Sequence, residues 1–75
     1  MLIYIETTAK IIHLEINDNS TIETIIRQIP HLKTVPLDQI RIMFEGIQLE
    51  NYRTLNFYKI QKESTLRVFF RLKGD

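Results

Sequence analysis

Few side chains in this sequence could act on a chemical bond, and their spacing keeps them apart. His13 and His31 fall on different elements, with no His, Asp or Glu cluster at metal-ligand spacing around either, so both are expected at the surface rather than on a metal. Ser20 and Ser64 lack the context of a nucleophile elbow, and each has a structural use as a helix cap or strand start. With no cysteine, a disulfide scaffold, a thiolate metal site and a cysteine nucleophile are excluded together. Gly46 and Gly74 are the only glycines, so a phosphate-cradling loop cannot be built in the usual way. No catalytic constellation and no cofactor is expected. What is left is contact chemistry, carried by outward apolar and charged side chains.

Charge and length bound the partners. Ten Lys+Arg against nine Asp+Glu give a formal charge of 10 − 9 = +1, and no basic run is long enough to track nucleic acid. Met1 to Glu6 has no cationic start or cleavage signal, and no segment approaches the ~20 apolar residues of a membrane span. A soluble intracellular protein is the expectation. At 75 residues with 44% hydrophobic content the chain should fold as one domain around one core.

The elements that must position the contact residues follow from periodicity. Met1, Ile3, Ile5, Ile12, Leu14 and Ile16 share one parity and predict a β-hairpin whose aliphatic face meets the core. Its other face, Leu2, Tyr4, Glu6, Ile11, His13 and Glu15, is mixed. Ser20 and Glu23 fit a capping box, with Thr21 as the other candidate cap, and Ile22, Ile25, Ile26 and Ile29 then form one helical stripe of about two turns. Pro30 should end or kink that helix. A third strand is predicted over Gln39 to Glu45, a turn at Glu45-Gly46, a short strand over Ile47-Gln48-Leu49, and a last strand over Ser64 to Leu72 with Leu66, Val68 and Phe70 inward. Glu50 to Lys62 shows no sustained period and reads as a long, partly 3₁₀ connection. The sum is an α+β unit, a mixed sheet covered on one side by a single helix.

Outward parity brings Met43 and Phe69 onto one face, with Arg67 beside Phe69, Arg41 next along the third strand and Ile47 across the Gly46 turn. Such an exposed apolar cluster often marks a contact surface, against the alternative of scattered surface hydrophobes without a partner. Leu2, Tyr4 and His13 form a second outward cluster, for which ordinary cross-strand packing is the alternative.

The run Asp38-Gln39-Ile40-Arg41-Ile42-Met43-Phe44-Glu45-Gly46-Ile47-Gln48-Leu49-Glu50, then Arg53-Thr54-Leu55, Tyr58 and the uninterrupted Ile60-Gln61-Lys62-Glu63-Ser64-Thr65-Leu66, resembles the ubiquitin family. The likeness covers the whole chain in register, from Met1 and Ile3 through Leu14-Glu15 and Thr21-Ile22-Glu23 to Arg71-Leu72 and Gly74. It implies a β-grasp fold and a protein that marks others or is read by them, rather than an enzyme.

By resemblance Met43, Arg67 and Phe69 occupy the family's recognition patch, Thr8 stands where another aliphatic is usual, and Arg71 matches a residue that activating enzymes recognise. Phe69 is larger than the usual aliphatic, and Arg67 replaces a residue that is commonly His. Lys10 and Lys62 resemble chain-linking lysines, whereas Glu6, Ile26, Gln28, Leu32 and Ile47 stand where other linking lysines would be and carry no amine. The family buries a lysine at the place of Ile26, paired to an acid where this chain has Asn51, and an apolar replacement should keep the fold.

The first turn is one residue shorter than the family's and lacks its glycine. The tail, Leu72-Lys73-Gly74-Asp75, departs from the family's two glycines, and the Asp75 side chain should block conjugation. Residues 70–75 are expected to be flexible. The implied partners are ubiquitin-binding proteins, with activating or conjugating enzymes and proteasome receptors among the candidates. A monomer of cytoplasm and nucleus is expected, without nucleic acid or membrane. The leading expectation is a non-covalent module or decoy. The alternatives are a covalent modifier whose natural tail differs, and the first domain of a larger protein.

Overall fold

The computed structural model describes residues 1–71. Strands β1 (Leu2–Glu6) and β2 (Ile11–Glu15) are followed by helix α1 (Ile22–Arg27), then β3 (Ile40–Phe44), β4 (Ile47–Gln48) and β5 (Thr65–Phe70). They form one five-stranded sheet in the order β2-β1-β5-β3-β4, with β1 and β5 parallel and the other neighbours antiparallel. This is the α+β arrangement that the residue pattern implies, and the β-grasp that the family resemblance implies. No helix among the described residues is long and apolar enough to cross a membrane.

The sheet's inner face supplies Ile3, Ile5, Ile40, Ile42, Leu66 and Val68, which pack with Ile22, Ile25 and Ile26 of α1 and with Ile29, Leu32, Leu49, Leu55 and Ile60. No polar or charged residue is buried among the described residues. Met1, Ile12 and Leu14 are half-buried against this core, so the inward parity of the hairpin holds. Thr7 closes the hairpin turn: its Oγ1 donates to the Lys10 carbonyl at 2.9 Å and accepts from the Ala9 and Lys10 amides.

The helix is shorter than its isoleucine stripe. It ends at Arg27, and Ile29 is extended at φ −86° and ψ 116°, as the residue before Pro30 prefers. Pro30 therefore stops the helix rather than kinking it, and a 3₁₀ turn follows at Pro30–Leu32. The amides of Gln28 and Ile29 bond back three residues to Ile25 and Ile26, which tightens the last turn and still buries Ile29.

At the other end Thr21, not Ser20, is the cap, its side chain accepting from the Thr24 amide at 3.2 Å. The Ser20 backbone is used elsewhere, its amide donating to Asn17 and its carbonyl accepting from Leu55.

Other boundaries move for similar local reasons. Gln39 closes a second 3₁₀ turn, Leu37–Gln39, so β3 starts at Ile40. Glu45 and Gly46 take φ of 50° and 82°, making the two-residue mirror-image turn whose twist suits antiparallel strands, and Glu45 leaves β3. Leu49 lies past β4 yet is buried, its amide donating to Ile42 at 2.8 Å.

The 50–62 connection is built of turns, and the 3₁₀ segments lie before β3 instead. Phe70 keeps inward parity but is 49% exposed at the end of β5, where burial lapses. It belongs to the strand rather than to a flexible tail, and Arg71 is also tied, its amide donating to Gln39 at 2.8 Å.

Candidate interaction surface

Strand register builds the outer face. Ile11 opposes Glu6, Glu6 pairs with Arg67, Arg67 opposes Met43 and Met43 opposes Gln48, so one row crosses the whole sheet. Directly paired residues share a face, so all five side chains project outward together. Arg67 Nε lies 3.1 Å from Glu6 Oε1, an ion pair across the middle of the row. Thr65 and Phe69 flank Arg67 on β5, and Glu45 and Gly46 rise at the β3–β4 turn. These residues surround an open depression of about 600 Å³ lined by Glu6, Ile11, Met43, Glu45, Gly46, Thr65, Arg67 and Phe69.

Of the residues expected in the patch, Met43, Arg67, Phe69 and Gly46 thus come together. Thr8 lies beside a smaller adjoining hollow that it shares with Arg67 and Phe69. Arg41 opposes Phe69 on β3, and its Nε is enclosed without a hydrogen-bond partner. Ile47 does not join Met43: the tight turn sets it opposite Phe44, on the other side of the sheet, and Gln48 takes the place beside Met43. Arg71 does not line this depression either. It lines a separate hollow with Leu37, Asp38, Gln48 and Tyr52.

In the second cluster Tyr4 and His13 are cross-strand partners with rings 4.8 Å apart, edge to face, and Leu2 lies two residues along the same face. Lys10 and Lys62 are both exposed, in the first turn and in the segment before β5. Leu72, Lys73, Gly74 and Asp75 lie outside the described residues.

Periodicity did not reveal Glu6, Ile11 and Glu45 as part of the depression. Their outward parity was legible for the first two, but the parallel β1–β5 register that sets Glu6 beside Arg67 has no local signal. The aromatic surface of the 50–58 segment was also missed. The Arg53 guanidinium lies 4.1 Å from the Phe57 ring centre and 5.0 Å from that of Tyr52, and its Nε meets Glu50 Oε2 at 3.1 Å. That hydrogen bond, with a second from the Tyr52 hydroxyl, holds the Glu50 carboxyl below its ordinary range.

An outward-facing row on a β-grasp sheet is the feature that the family resemblance assigned to recognition. A model of the ubiquitin family matches residues 3–73, nearly the whole chain. The chain belongs to the ubiquitin family.

Proposed function

We propose that this chain is a non-enzymatic ubiquitin-like binding module, recognised by proteins of the ubiquitin pathway through the outer face of its sheet. The observation that carries this reading is the convergence of Ile11, Met43 and Phe69 on one open depression, with Ile11 57% and Phe69 46% exposed. Apolar side chains gathered on a rigid sheet, with charge among them, suit a partner that buries the centre and leaves a polar rim. Phe69 supplies contact area, Met43 an adaptable neighbour, and the Arg67–Glu6 pair fixes the charge between them.

Titrating the isotope-labelled chain with a ubiquitin-binding domain should shift the amides of Ile11, Met43, Gly46 and Phe69. Phe69→Ala should weaken that binding by about tenfold or more while leaving the melting temperature nearly unchanged. A large loss of thermal stability in Met43→Ala, without a change in affinity, would make Met43 a packing residue instead.

An ATP-dependent thioester assay with a ubiquitin-activating enzyme separates the covalent alternative. The chain carrying Asp75 is expected to stay uncharged and Asp75→Gly to charge. Charging of the unaltered chain would establish a covalent modifier.

A further inference from the structure

We infer that the outer depression selects a partner segment in which an apolar anchor is accompanied by a cationic side chain, Lys or Arg, that meets Glu45. The inference rests on the contact-face reading above and adds the charge of the partner. Three ionisable side chains line the depression: Glu6, Glu45 and Arg67, a formal balance of 1 − 2 = −1. Arg67 is spoken for, its Nε held 3.1 Å from Glu6 Oε1. Glu45 takes part in no ion pair among the described residues. It is exposed on a turn that both positive φ angles make specific, so its backbone is carried at a fixed place on the rim.

The remaining lining is apolar or neutral: Ile11, Met43, Gly46, Thr65 and Phe69. Arg41 opposes Phe69 on this face and is not among the lining residues. An incoming anion would therefore meet an uncompensated carboxylate at the rim and a guanidinium already engaged. An incoming cation would complete the pair that Glu45 lacks while its apolar neighbour fills the space between Ile11, Met43 and Phe69.

The test uses two amphipathic peptides with the same leucine face, one flanked by Lys and one by Glu, titrated into the labelled chain. The Lys-flanked peptide should shift the amides of Ile11, Met43, Gly46 and Phe69 and bind about fivefold tighter, the effect of one well-placed surface ion pair. That preference should shrink as salt shortens the screening length to about 3 Å near 1 M. Glu45→Gln should equalise the two peptides, and Glu45→Lys should reverse their order.

Equal binding of both peptides at this face to the unaltered chain, or tighter binding of the Glu-flanked one, overturns the charge inference and leaves the contact face standing. Shifts confined to other amides, or no binding by either peptide, overturn both.

Discussion

Gly46 has a backbone that few residues tolerate and a position that almost any side chain would fit. Its φ is +82°, and a Cβ added there would meet nothing within 4 Å. Gly46→Ala therefore costs only the backbone term, about 1 kcal/mol, with no steric clash added. Urea denaturation should show a lower midpoint at an unchanged slope, and an unchanged midpoint would mean that the turn relaxes to another type. The same turn explains what parity could and could not reveal. Met43, Arg67 and Phe69 were legible because an extended strand alternates strictly. Ile47 was not, because the two turn residues reset which side the returning strand shows, and only the Phe44–Ile47 register settles it.

Helix α1 is six residues long, too short to persist on intrinsic propensity, so its ends and its packing must hold it. Arg27, in its last turn, reaches forward over the Pro30 break. One terminal guanidinium nitrogen donates to the carbonyls of Leu32, Lys33 and Val35 at 3.2, 3.0 and 2.9 Å. That single group ties down the segment which Pro30 releases from helical bonding, and its cation also suits the helix C-terminus. Arg27→Met keeps the apolar stem but removes the donor, and should cost about 1.5 to 3 kcal/mol, the range for hydrogen bonds to charged groups. Amide hydrogen exchange should quicken between residues 29 and 35 while β1 and β5 stay protected. Equal quickening in the sheet would instead mean that the segment unfolds only with the whole domain. Sequence announced the break through Pro30 but not the clasp, since the carbonyls that Arg27 meets face it only after the chain has turned.

The buried interior is entirely aliphatic, fifteen isoleucine, leucine and valine side chains with no buried polar or charged residue among the described residues. Alternation along the strands and a single helical stripe were enough to identify most of it. Leu49, Leu55 and Ile60 were harder to assign because they sit outside the strands and the helix, in segments with no sustained period. A core of this kind draws its stability from close packing of one chemistry, and it has no internal partner for a charge. Ile26 is the sharpest probe because it is 0% exposed and stands where the family resemblance places a buried lysine with an acid opposite. Here the acid's counterpart is Asn51, whose carbonyl accepts the Glu23 amide at 3.0 Å. Ile26→Lys would place an ammonium among isoleucines with no carboxylate to meet it. The expected loss is about 3 kcal/mol or more, the scale of an uncompensated buried charge. A domain of this size has only about 4 to 11 kcal/mol in total at the usual yield per residue, so the variant should be near its folding threshold. Adding Asn51→Asp should recover part of the loss, and thermal melts of the single and double variants measure it. No recovery would show that position 51 faces away from position 26, and that the aliphatic core was rebuilt around Ile26 rather than exchanged for an ion pair at a fixed geometry.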